Sequence, residues 1–166
     1  LVKEILAISK IEMNGLTENT ELVSVSVLLK KVLESLLPLA QEKNIIIKQN
    51  ITEDVRVLGN PSLLEKALHN IVSNAIRHSP EGAEVSITLS SSKLLVQNTG
   101  VTIPSEDLPV LFTPFYRVEK SRNKATGGSG LGLYLVKTIL ELHGMKYGIE
   151  NVENSVSFFV NFNSKN

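Results

Sequence analysis

Apolar residues recur along this chain with two periods, and the period switches where glycine, proline or asparagine interrupts it. Leu63, Leu64, Ala67, Leu68, Ile71, Val72, Ala75 and Ile76 fall three and four apart, the spacing of a helix buried along one face. Asn60-Pro61 opens that helix with an N-cap followed by proline at the first helical position, and Ser79-Pro80-Glu81-Gly82 breaks it after roughly His78. The pairs Leu28-Leu29, Val32-Leu33 and Leu36-Leu37 predict an earlier helix ending near Lys43-Asn44. Leu131, Leu135, Ile139 and Leu142, with Leu133, Val136 and Leu140 beside them, predict a later one stopped by His143-Gly144. Leu1, Ile5, Ile8 and Ile11 set a helical stripe ended by Asn14-Gly15, so residues 1–15 read as the end of a preceding helix and 16–166 as the folded unit.

The second period is two. Glu84 to Ser90 alternates, and Ser91-Ser92 turns it into a partner from Lys93 to Gln97. Alternation returns at Val156, Phe158, Val160 and Phe162. Leu22, Val23 and Val25 predict a short strand, and Ile45-Ile46-Ile47 with Val55 to Leu58 predict a hairpin turning at Thr52-Glu53-Asp54. Helices alternating with strand pairs predict an α/β fold, a two-layer sandwich with a mixed, largely antiparallel sheet and helices on one face.

Composition narrows the possible partners. Lys+Arg and Asp+Glu stand at 17 each in 166 residues, so no global field favours nucleic acid. The absence of cysteine removes disulfides and thiolate metal sites and makes the cytoplasm the default compartment. No apolar run reaches the length of a membrane span.

Two features carry chemistry. Thr126-Gly127-Gly128-Ser129-Gly130-Leu131-Gly132-Leu133 packs glycines directly before an apolar helix, and glycine lets backbone N–H groups approach an anion at the partially positive helix N-terminus. Alone, this stretch fits a phosphate site or a plain linker equally well. Residues 99 to 128, with Pro104, Pro109 and Pro114, show little periodicity and run into it, the pattern of a long functional loop. On the helix ending near His78, Asn70, Asn74 and Arg77 share one border of the apolar arc. Amides there need partners, either a neighbouring loop or a ligand bearing oxygens and a hydrated cation, and amide oxygens suit Mg²⁺ shared with phosphates.

Together these residues resemble a known family. Asn70-Ile71-Val72-Ser73-Asn74-Ala75 is similar to the N box of sensor histidine kinases, Phe112-Thr113-Pro114-Phe115-Tyr116-Arg117 to their F box, and Gly128 to Leu133 to their second glycine box. The resemblance implies a catalytic ATP-binding domain with the Bergerat fold and a long ATP lid. It implies ATP contacts at Asn70, Asn74, Arg77, His78, Gly128, Gly130, Leu131, Gly132 and Leu133, and Mg²⁺ on Asn74 with Asn70 beside it. Where the family carries D-x-G-x-G, whose aspartate binds the adenine amino group, this chain has Asn98-Thr99-Gly100-Val101-Thr102 before Ile103, which implies base contacts at Asn98, Gly100 and Ile103 with an amide replacing the carboxylate. His78 stands where tyrosine or phenylalanine is usual, and Lys66 where some members carry a glutamate or glutamine, so no general base is assigned on this helix.

Arg117 and Arg122 are the lid cations implied to orient the γ-phosphate, with Lys120 and Lys124 as surface charge and Phe112, Phe115 and Tyr116 as anchors of the lid. His69, His78 and His143 all lack the phosphoacceptor context, which places the acceptor on an upstream dimerisation domain. The implied activity is transfer of the ATP γ-phosphoryl group to that histidine and then to a response regulator, by the cytoplasmic part of a membrane-anchored kinase. The fragment itself is expected to be a monomer that binds no nucleic acid. Asn98-Thr99-Gly100 in combination with the run from Phe115 to Arg122 is further similar to kinases of Gram-positive bacteria that respond to cell-envelope antibiotics, the VanS type among them. A non-catalytic nucleotide-binding module and a mechanical ATPase of the gyrase or MutL kind are the other readings.

Overall fold

Two of the helices begin where a side chain captures a free backbone N–H group. Strand β1 (Glu21–Ser24) ends because Ser24 becomes the N-cap of α2 (Val25–Glu42), its hydroxyl accepting from the Val27 N–H at 3.3 Å, so Val25 is helical and not part of the strand. Helix α3 (Pro61–Arg77) starts from Asn60, whose Oδ1 accepts from the Leu63 N–H at 3.1 Å, with proline at the first position as the sequence predicts. A computed structural model describes residues 2–15, 19–116 and 130–163. It adds α1 (Val2–Asn14), α4 (Gly132–Leu142) and six further strands: β2 (Ile46–Ile51), β3 (Arg56–Gly59), β4 (Glu84–Ser90), β5 (Lys93–Thr99), β6 (Lys146–Val152) and β7 (Ser155–Asn161).

The five-stranded sheet has the order β2-β4-β5-β7-β6 and is antiparallel except where β2 meets β4, while β1 and β3 form a separate two-stranded ribbon. The predicted α/β sandwich therefore holds, but the predicted hairpin between Ile45 and Leu58 does not form. β2 runs parallel to β4 from Ile46↔Glu84 to Ile51↔Leu89, and β3 pairs with β1 from Glu21↔Gly59 to Ser24↔Arg56. The reason lies in Asp54, which looks like a turn residue but acts as an acceptor. Ser24 Oγ and Ser26 Oγ donate to its Oδ1 at 2.6 and 2.8 Å, and Arg56 Nε donates to Oδ2 at 3.0 Å. The Ser24 and Ser26 hydroxyls, then Arg56, hold the Asp54 carboxyl down at about 2. That clasp draws the segment to the start of α2 instead of letting it fold back on β2.

Strand alternation sends Val85, Ile87 and Leu89 of β4 and Leu94 and Val96 of β5 toward the helices, where they bury against Leu29, Ile71, Val72, Ile76, Val136 and Ile139. Ile8 and Ile11 of α1 join this core, and the Tyr134 hydroxyl of α4 donates to Glu12 at 3.4 Å. Among the described residues, no helix is long and apolar enough to cross a membrane.

Candidate functional site

A cavity of about 460 Å³ opens between α3, the N-terminal end of α4 and the sheet. Its helical wall comes from α3, whose apolar arc is pressed into the core by Leu68, Ile71, Val72 and Ile76, leaving Asn70 and Asn74 half-buried on the border one turn apart. Arg77 and His78 are exposed and line the same cavity at the helix end. Lys43, which the sequence offers only as a helix stop, reaches that end from α2. Its Nζ donates to the carbonyls of Ile76 at 3.3 Å and Arg77 at 2.7 Å, capping α3, and partial burial lowers its pKa.

The glycine-rich segment meets this wall directly. Asn70 Nδ2 donates to the Gly132 carbonyl at 3.3 Å, and Gly130, Gly132 and Leu133 line the cavity. Leu131 does not; it is buried in the core as the N-cap residue of α4, because the helical register that exposes Gly132 and Leu133 turns Leu131 inward. At Gly130 the chain turns with φ 81° and passes the Phe115 backbone so closely that a Cβ would stand 2.7 Å from the Phe115 carbonyl carbon. The Phe115 N–H donates to the Gly130 carbonyl at 2.9 Å, pinning the two ends of the intervening segment together. Gly128, Arg117, Arg122, Lys120 and Lys124 lie outside the described residues.

Phe112 anchors the stretch before Phe115, its ring edge-on to Tyr147 at 5.0 Å and to Phe158 at 6.0 Å. Phe115 does not anchor through its ring, which is largely exposed; its backbone does that work. The Tyr116 hydroxyl donates to Asp107.

The sheet supplies the floor. Val96 and Asn98 of β5, Val156 and Phe158 of β7 and Ile149 of β6 all line the cavity, in cross-strand register as Asn98↔Val156, Val96↔Phe158 and Ile149↔Phe158. Asn98 is 4% exposed. Gly100 is not among the lining residues; at φ 78° it makes the turn that sends Val101, Thr102 and Ile103 along the rim. Ile103 is fixed by Asn151, whose Nδ2 donates to the Ile103 carbonyl at 2.7 Å while its Oδ1 accepts from the Ile103 N–H at 2.8 Å. No local pattern marks Asn151, because its partner lies 48 residues away. The apolar floor was likewise hidden: alternation identifies the strands, but not which of them are neighbours.

The two walls are tied at their far ends by His143, the residue that caps α4. Its Nε2 accepts from the Asn60 N–H at 3.1 Å and its Nδ1 faces the Ile139 carbonyl at 2.7 Å, so Nδ1 carries the proton. Burial lowers the His143 pKa despite the opposing bond to Ile139. Among the described residues no group of three or more His, Cys, Asp or Glu side chains surrounds a metal position. Asn70 and Asn74 offer amide oxygens, which match an ion that keeps its waters and shares phosphate oxygens, not one that needs a full protein cage.

A family model for histidine kinase-, DNA gyrase B- and HSP90-like ATPases matches residues 59–164. The sensor protein VanSB of Enterococcus faecalis is 31% identical over 163 residues, a match spanning 96% of this chain and 36% of that protein. The chain thus covers about a third of that relative's length. Among solved structures, the nucleotide-free catalytic domain of the histidine kinase ThkA superposes with a TM-score of 0.71 at 27% identity, covering 85% of this chain and 93% of that one. ThkA in complex with the response regulator protein TrrA superposes with a TM-score of 0.68 at 27% identity, over 96% of this chain and 47% of that one.

Proposed function

Since the chain belongs to the histidine kinase-, DNA gyrase B- and HSP90-like ATPase family, we propose that it is the ATP-binding catalytic domain of a two-component sensor histidine kinase, with ATP in the cavity between α3, α4 and the sheet. The observation that carries this reading is the bond from Asn70 to the Gly132 carbonyl, which joins the amide-bearing helix to the glycine-rich helix start along one cavity. The free N–H groups at the start of α4 and the side chains of Arg77 and His78 face the polyphosphate. The purine lies on the apolar floor of Val96, Ile149, Val156 and Phe158, with its polar edge toward Asn98.

Asn74, with Asn70 beside it, holds Mg²⁺ through its amide oxygen, and the ion supplies charge neutralisation between the phosphates. Arg77 at the cavity rim adds a fixed positive charge near the terminal phosphate. Arg117 and Arg122 complete that role from the lid. In the whole protein the γ-phosphoryl group passes to a histidine on an upstream dimerisation domain and from there to a response regulator. Residues 1–15 join that domain to 16–166, and the whole kinase is anchored in a membrane with this part in the cytoplasm.

Calorimetric titration with a non-hydrolysable ATP analogue, with and without Mg²⁺, tests the site. Asn74→Ala is expected to weaken Mg²⁺-dependent binding about 10- to 100-fold, the loss of one hydrogen-bonding group facing charge. Wild-type protein that binds no analogue sinks the reading. Adding ATP and a histidine-containing dimerisation fragment then tests transfer; binding without phosphohistidine supports a non-catalytic nucleotide module instead.

A further inference from the structure

The floor of the cavity holds one amide among apolar side chains. Asn98 lies across the strands from Val85 on β4 and Val156 on β7, neither of which offers a hydrogen bond from its side chain. Among the described residues no group bonds the Asn98 side chain, although it is 4% exposed and lines the cavity. Asn151, on the neighbouring strand pair, is the contrast: its donor and its acceptor are both taken by the Ile103 backbone, which fixes which way the amide points. Nothing of that kind fixes Asn98.

An amide free to turn reads two opposite hydrogen-bond patterns. A 6-aminopurine presents a donor at N6 and an acceptor at N1; a 6-oxopurine presents an acceptor at O6 and a donor at N1–H. With Oδ1 toward N6 and Nδ2 toward N1, Asn98 pairs with the first, and after half a turn about its last side-chain bond it pairs equally with the second. A carboxylate at the same place offers acceptors only and sets negative charge against O6. We infer that Asn98 makes the base end of this site tolerant of both 6-amino- and 6-oxopurine nucleotides. This rests on the nucleotide reading of the cavity given above. The apolar floor adds no discrimination, because it stacks on either ring system alike.

Displacement of a fluorescent ATP analogue by ATP, ITP and GTP, each with Mg²⁺, tests the inference on wild type and Asn98→Asp. ITP isolates the exchange at position 6, and GTP adds the 2-amino group. In the wild type, ITP is expected to compete within about 10-fold of ATP, whereas sites that leave a buried polar group unpaired reject an analogue by about 10⁴-fold or more. Asn98→Asp is expected to widen the ATP-to-ITP ratio by about 10-fold, the effect of one mismatched charged contact. Should that variant not fold, Asn98→Leu replaces it: an amide that serves both bases costs both about equally when removed. A wild-type preference for ATP over ITP beyond about 100-fold, an Asn98→Asp ratio unchanged from wild type, or an unequal loss in Asn98→Leu each overturns the inference. ATP bound with ITP excluded overturns base tolerance alone; a wild type that binds neither overturns the nucleotide site with it.

Discussion

At the scale of single residues, two glycines two positions apart in the same motif behave differently. A side chain at Gly130 meets backbone atoms of Phe115 at 2.7 to 2.9 Å in a left-handed conformation, so neither rotation nor a small shift relieves it. Gly130→Ala is therefore expected to lose more than about 1 kcal/mol in urea unfolding and to weaken nucleotide binding by loosening the Phe115 junction. At Gly132 the nearest atom to an added Cβ is Asn70 Nδ2 at 3.9 Å, an ordinary contact. Gly132→Ala is the internal control, with unfolding within about 0.5 kcal/mol of wild type. The sequence marks both as one glycine-rich stretch, since glycine spacing is visible in one dimension and the approach of Phe115 is not. For the same reason Asn70 and Asn74 are legible, set by the helical period, whereas Asn151 and Lys43 act on atoms 48 and 33 or 34 residues away and carry no local signature.

At the scale of elements, α3 is the part on which the site depends, and both of its ends are held from outside. Asn60 caps its start, and replacing it by alanine is expected to cost about 0.5 to 2 kcal/mol, read as a lower urea midpoint. The same residue's N–H ends on His143, which ties stability to pH. Burial keeps His143 neutral, so its folded pKa lies below the ordinary value of 6.5 that applies unfolded. Its contribution is therefore complete above 6.5 and drains away as pH falls toward the folded value, because protons bind the unfolded chain first. Urea midpoints are expected to fall between pH 7 and pH 5, with a shallower slope in His143→Gln; equal slopes would remove His143 from the account. The helices and the Asn60 cap of α3 were readable from spacing and capping chemistry, whereas the Ser24 cap of α2 was not, because Val25 continues an apolar run that reads as strand. The segment from Ile45 to Leu58 was not, since two β-branched runs around a polar turn look like a hairpin, and only the hydroxyls of Ser24 and Ser26, 30 and 28 residues from Asp54, redirect it.

At the scale of the whole molecule, the placement of the sheet's one parallel strand sets an order of events. β4, β5, β7 and β6 join through antiparallel pairs, two of them between strands consecutive in the chain, β4 with β5 and β6 with β7. β2 is held least, because it is an edge strand with β4 as its one neighbour, pairs with it in parallel, and is exposed or half-buried along its whole length. β2 is therefore expected to be the first strand of the sheet to leave. Ile47, opposite Val85, reports on that step: Ile47→Ala is expected to raise the unfolding rate about 5- to 30-fold in stopped-flow traces while leaving the refolding rate nearly unchanged. Leu94→Ala, in the β4–β5 pair, should instead slow refolding. The sheet edge at β2 is thus the latch of the fold: β2 does not line the cavity between α3 and β5, so its release is expected to leave the site standing.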